Sequence, residues 1–339
     1  MKKLLRVVLL AIGLALFTWF LLRAGPTEIW HTGSRLGWRA PLVLVPFAAV
    51  YFVETLGWHF AFGRRKHRPL RLPGLYRIRW CGEAVNNVIP SATIGGEAVK
   101  VYLVHKRGVP GADATASVII GRTVQTLCQV IFIGLGSAAL LHVAGYKPGV
   151  RPAMLVVLGL SVALIVLLFV LQAHGIFALV LCLARRLGWS ATALERRRDK
   201  LVQIDRQVLA CYQDDRSHLL FSACAYLGGW LLDTLDVFLV AYLLGVPMQW
   251  LQALGIEAFI GVAKLMGFVV PGGLGVQEAG VTLVCRLAGL PEPFAVAYAI
   301  LRRGRDVAFA SLGWLMLYLE ETNLGGLRQR IAAESPPSL

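Results

Sequence analysis

Charge is scarce in this chain. Only 16% of its 339 residues are Asp, Glu, Lys or Arg, too few to clothe a water-soluble domain of that length. Cysteine pairing is also missing. The six cysteines (Cys81, Cys128, Cys182, Cys211, Cys224, Cys285) share no repeated spacing. They read as small apolar packing residues, not as a disulfide frame or a metal site. There is no phosphate-cradling glycine loop, no zincin-type helix, no nucleophile elbow and no His/Cys cluster at metal-ligand spacing. No stretch is long and polar enough for an aqueous catalytic domain, and residues 185–218 are at most an amphipathic connector. Neither a cofactor nor a metal is therefore expected, and enzyme chemistry in water is not.

What the chain has instead is apolar length. Apolar residues make up 57% of it and occur in runs near the roughly 20 residues that cross a bilayer. Candidate spans are residues 4–22, 41–62, 114–142, 153–173 and 219–244, and two further apolar stretches cover 251–270 and 294–318. Short alternating segments of the barrel type are missing, so the expected fold is all-α, a polytopic helical membrane protein. The first apolar run ends in Leu22-Arg23-Ala24-Gly25 without a small-x-small cleavage pattern, and is expected to stay as a helix.

The net charge of +15 is distributed by topology. Basic residues flank the first span (Lys2, Lys3, Arg6), follow the second (Arg64 to Arg79) and fill the loop between the fourth and fifth. The remaining loops hold few. This asymmetry places both termini and the basic loops in the cytoplasm of a bacterial inner membrane, and it points away from nucleic acid. The same loops also suit anionic lipid head groups.

Two segments break the span pattern, and they match each other. The first holds Pro90, Gly95, Gly96 and Glu97, and the second Pro271, Gly272, Gly273, Gly275 and Glu278. At an offset of 181 residues, nine of the 33 positions from Pro90 to Arg122 are identical, including Pro90/Pro271, Glu97/Glu278, Gly108/Gly289, Pro110/Pro291 and Arg122/Arg303. That frame marks an internal duplication. Residues 1–145 and 146–320 then form two repeats, each with three spans and one Pro/Gly-broken re-entrant hairpin, and 321–339 a short cytoplasmic tail. An odd number of crossings per repeat inverts the second relative to the first, a plan shared by many transporters. A rival count makes 251–270 and 275–290 two separate crossings.

Broken helices in a membrane need protein or a wet cavity to satisfy their freed backbone groups. Glu97 and Glu278 follow the breaks, in the first turn of the next helix. They either cap free amides there or border an anion seat formed by the helix N-termini. Arg122 lies in a span, and Arg302, Arg303, Arg305 and Asp306 interrupt the last one. Charges at such depth face a cavity or each other. Arg302 and Asp306, one turn apart, suggest an internal ion pair, and Asp233 and Asp236 share one helix face. Asn86 and Asn87 stand on the arm before Pro90. Lys100, His105, Lys106 and Arg107 cluster on the exit arm, where snorkelling to the interface is the plain structural reading.

The runs IPSATIGGEAVKVYLVHKRG and VVPGGLGVQEAGVTLVCRLAGLP, with the arginine-bearing final span, resemble the flippase-like membrane domain of lysylphosphatidylglycerol synthetases. The resemblance covers most of the chain. In the fused members a cytosolic aminoacyl-transferring domain follows the membrane region. Here only a short tail follows Tyr318, so the resemblance implies lipid translocation without synthesis. In length and layout the chain is similar to stand-alone members that accompany hopanoid biosynthesis.

Three functions are carried forward. The first is a flippase or transporter for an anionic or polar-headed lipid, with Arg122, Arg303, Glu97, Glu278, Asn86, Asn87, Arg305 and Asp306 around the head group. The second is an intramembrane lipid-modifying enzyme with Glu97 or Glu278 as general base. The third is a scaffold for lipid-biosynthesis enzymes. Membrane lipid is the expected partner in each.

Overall fold

The computed structural model describes residues 36–63, 70–88, 94–143, 215–266 and 276–320, with Pro152, Leu155, Val156, Gly159 and Ala163 besides. Every regular element among these residues is helical. A 3-10 turn, Gly37–Val43, leads into α1 (Leu44–Phe60), followed by α2 (Leu72–Val88), α3 (Ile94–Lys106) and α4 (Gly111–Val143). The chain continues with α5 (Arg216–Leu243), α6 (Trp250–Met266), α7 (Val276–Leu287) and α8 (Glu292–Leu319). The expected helices over 4–22 and most of 153–173 lie outside the described residues. So do the breaks at Pro90, Pro271, Gly272, Gly273 and Gly275.

Among the described residues, three helical stretches are long and apolar enough to cross a membrane: Gly37–Phe60, Gly111–Val143 and Arg216–Leu243. They coincide with three of the runs expected from hydropathy. Helix α8 has 28 residues, as many as α5, but its five charges lower its hydropathy. The remaining arms are short. Helices α2, α3, α6 and α7 have 17, 13, 17 and 12 residues. Helix α2 packs on α3, and α6 on α7.

The duplicated sequence frame is visible in the helix boundaries. Helix α4 starts at Gly111 and α8 at Glu292, positions related by the same 181-residue offset. The turn before each contains a glycine with positive φ, Gly108 (93°) and Gly289 (81°), and a proline two residues on. Only glycine adopts this backbone without strain, and the proline then prevents the preceding helix from resuming. Packing repeats as well: α4 lies along α6, its counterpart α8 lies along α2, and α1 crosses α5 at the centre.

Lipid offers no hydrophobic gain when two apolar helices meet, so close approach of small residues must hold them. A Cβ placed on Gly136 of α4 would collide with Ala258 of α6. One on Gly313 of α8 would stand 2.6 Å from the Trp80 carbonyl and 2.7 Å from Ala84, both on α2. One on Gly57 of α1 would stand 2.9 Å from the Tyr226 ring of α5. Buried apolar clusters flank these contacts: Trp58, Leu75, Ile78, Leu103 and Ile120 on one side, Val237, Ile256, Ile260, Val281 and Phe294 on the other. Large apolar side chains such as Phe52, Leu135, Phe221 and Leu315 cover the outside, as lipid contact requires. The aromatic rings of Trp38, Tyr242 and Tyr318 are exposed near helix ends, the position of an interfacial belt.

Candidate functional site

Ionisable groups inside the bundle gather into two networks, one per duplicated segment. In the second, Arg302 of α8 forms a two-pronged ion pair with Glu257 of α6, at 2.6 and 2.7 Å. Its Nη1 also donates to the Tyr298 hydroxyl at 2.6 Å. Arg305 reaches Asp236 of α5 at 2.7 Å and Asp306 at 3.0 Å. Arg303 donates to Glu278 on α7. Arg302, Arg305, Asp236, Glu257 and Glu278 are all buried. A charge at such depth is tolerable only when a partner of opposite sign replaces water, and these pairs supply one. Arg302 takes Glu257 from another helix, and Asp306 pairs with its neighbour Arg305.

The first network is more open. Glu54 of α1 pairs with Arg79 of α2 and accepts a 2.8 Å bond from Gln125 of α4. Lys100 of α3 lies between Glu83 (2.7 Å) and Glu97 (3.0 Å). Arg122 of α4 donates to Gln125 at 3.3 Å and meets no carboxylate among the described residues. A small cleft, with room for about one water (about 10 Å³), is lined by Trp58, Arg79, Glu97, Lys100, Arg122, Gln125 and Tyr226 with Val118 and Gly121. The indole N–H of Trp58 and the Nε of Arg79 are buried there without an acceptor. A buried donor without an acceptor costs on the order of 1–3 kcal/mol, which an oxygen-rich ligand would offset.

An aromatic wall stands between the two networks. Phe47 and Tyr51 of α1, Trp80 of α2 and Phe309 of α8 pack ring on ring, with Trp80 and Phe309 stacked at 4.7 Å. Arg305 lies over Phe47 at 3.7 Å, and Arg79 over Tyr51 at 5.8 Å. Each network thus rests a guanidinium on the same wall, from which a cation draws attraction in a dry setting.

The structure separates the residues singled out from sequence. Glu97, Arg122 and, through Gly96, Asn86 belong to the cleft region. Arg303, Arg305, Asp306 and Glu278 belong to the second network. Asn87 is exposed. Gly95 and Gly96 are not in a break but in the first turn of α3. Gly96 brings that turn against α2: a Cβ would collide with the Gly82 carbonyl and Asn86, and its N–H donates to Asn86 Oδ1 at 2.8 Å. Glu97 and Glu278 do stand in the first turns of α3 and α7, where each faces a cationic side chain.

Two residues read from sequence as surface cations are buried instead. Arg79 was grouped with the basic loop, yet it is 3% exposed; Lys100, grouped with the snorkelling cluster, is 4% exposed. The signal that identifies them is an acid at helical or cross-helix reach, Glu83 and Glu97 for Lys100 and Glu54 for Arg79. Trp58, Gln125 and Tyr226 carried no sequence signal.

The chain has known relatives. A family model described as the lysylphosphatidylglycerol synthase TM region matches residues 5–313. The chain belongs to that family. It is also 26% identical over 238 residues to a UPF0104 membrane protein of Pyrococcus horikoshii, covering 66% of this chain and 69% of the relative. A UPF0104 membrane protein of Methanothermobacter thermautotrophicus is 26% identical over 275 residues, 77% of each chain. The family is that of a membrane-embedded region, in agreement with the helical spans described above.

Proposed function

We propose that this protein is a lipid flippase or transporter, and that the cleft of α1 to α5 receives the polar head group of an anionic or polar-headed membrane lipid. The observation that carries this reading is Arg122: a guanidinium inside a span, at the cleft, bonded only to a neutral glutamine among the described residues. With Trp58, Arg79 and Tyr226 it forms a set of donors suited to phosphate or hydroxyl oxygens. The acyl or polycyclic tail remains in lipid along the exposed apolar faces. The duplication supplies the movement: two inverted halves, meeting where α1 crosses α5, would rock to open the cleft to either leaflet. The bacterial inner membrane, with both ends of the chain in the cytoplasm, is the setting that the loop charges support.

The test is leaflet exchange of a head-group-labelled anionic phospholipid in proteoliposomes. Exchange above the protein-free rate is expected for the wild type and loss of it for Arg122→Gln and for the Glu97→Gln/Glu278→Gln pair. Unchanged exchange in a folded Arg122→Gln protein would contradict the reading. A scaffold would show no exchange at all.

A further inference from the structure

The cleft carries a cation of its own where an external one would otherwise bind. Lys100 is 4% exposed, and its Nζ stands 2.7 Å from Glu83 and 3.0 Å from Glu97. The seat is shaped for this side chain. A Cβ on Gly82 would lie 2.6 Å from Lys100 Cε and 2.7 Å from Cγ, so only glycine leaves room for the lysine stem. At the matched positions of the second segment Ala263 replaces Gly82 and Val281 replaces Lys100. There the acid corresponding to Glu97, Glu278, turns to Arg303 instead. The lysine seat therefore belongs to the cleft and not to the hairpin plan in general.

Resting on the reading of the cleft as a head-group site, we infer that Lys100 is its specificity-determining residue: its ammonium fills a two-carboxylate seat that would hold a lipid amine, so the cleft takes anionic or uncharged head groups and rejects amine-bearing ones. Two part-buried carboxylates without a counter-ion would attract a primary ammonium through charge-assisted hydrogen bonds. With Lys100 present that seat is filled. The third carboxylate nearby, Glu54, is already bonded to Arg79 and Gln125. An incoming amine would meet Arg79, Lys100 and Arg122 and, among the described residues, no acid without a cation already beside it. Phosphate and hydroxyl oxygens still find Arg122, the Trp58 N–H and Tyr226.

The experiment is native mass spectrometry of the full chain equilibrated with equal amounts of phosphatidylglycerol and phosphatidylethanolamine. Wild type should retain mainly phosphatidylglycerol. Lys100→Met should shift the retained ratio toward phosphatidylethanolamine by roughly tenfold or more, the scale of one charge-assisted hydrogen bond. The triple variant Glu83→Gln/Glu97→Gln/Lys100→Met, which has no acids to take an amine, should not show that shift. Gly82→Ala, which displaces the lysine stem, should shift the ratio in the same direction and serves if Lys100→Met fails to fold. An unchanged ratio in folded Lys100→Met or Gly82→Ala protein, or a shift that survives in the triple variant, overturns the inference. Arg122→Gln separates the two levels. Its loss of lipid alongside unchanged Lys100→Met selectivity sinks the inference alone, whereas full lipid retention sinks the reading of the cleft as well.

Discussion

Arg303 is fastened to Glu278 on the neighbouring helix, whereas Arg122, 181 residues earlier in the same frame, bonds a glutamine and meets no carboxylate among the described residues. The matched positions around them differ too: Ala263, Lys264 and Val281 stand where the first segment has Gly82, Glu83 and Lys100. Lys100 occupies Glu97 in the first segment, and Val281, in its place in the second, leaves Glu278 to the arginine. The duplicated frame thus carries two differently paired charge networks.

That asymmetry predicts opposite results for two equivalent substitutions. Arg303→Gln leaves Glu278, 2% exposed, as an uncompensated buried acid, at a cost of about 3–5 kcal/mol. Arg122→Gln gives up one long hydrogen bond and costs less than about 1 kcal/mol. Thermal denaturation in detergent should show a large drop in Tm for the first and little change for the second, while lipid retention falls in the second.

The Arg302–Glu257 pair should behave as a coupled unit. Glu257→Gln alone leaves a guanidinium buried without its acid and lowers stability by about 3 kcal/mol or more. Adding Arg302→Met should recover part of that loss, because the unpaired charge is gone. A double-mutant cycle measures the coupling, and simple additivity would contradict the pairing.

Helix contact through glycine makes a third prediction. Gly136→Ala forces a methyl against Ala258 and should destabilise by about 1–3 kcal/mol. Gly304→Ala is the control: nothing lies within 4 Å of its Cβ position, so stability should hold or rise slightly. Melting curves of the two variants compare them directly.

At the helix ends, Arg107 pairs with Glu320 and donates to the Gly74 carbonyl at 3.2 Å, clasping α8 to α2 and α3. Both side chains of that pair are part-exposed, so Glu320→Gln should change stability by no more than about 1 kcal/mol, and less at high salt. A loss as large as that of Arg303→Gln would contradict the distinction drawn between surface and buried pairs.

Much of this was legible in the sequence. Hydropathy located α1, α4 and α5, and the proline-glycine frame located the paired arms and the starts of α4 and α8. Glu97 and Glu278 fell in the first turns as their spacing implied. Pairing was not legible, because it depends on helices distant in sequence. Arg302 lies one turn from Asp306, yet Glu257 on α6 meets it face to face with two bonds, which a same-helix partner cannot match. Lys100 resembled an interfacial lysine because its exit arm is basic, and only the cross-helix position of Glu83 shows otherwise. The aromatic wall around Phe47, Tyr51, Trp80 and Phe309 joins three helices, a contact that no local pattern announces.

The central claim is that the cleft beside Arg122 holds a lipid head group. Native mass spectrometry of gently purified protein, wild type against Arg122→Gln, tests it most directly. The account predicts a defined lipid adduct on the wild type and its loss from the folded variant. A wild type with no lipid above background, or equal adducts on both proteins, would contradict it.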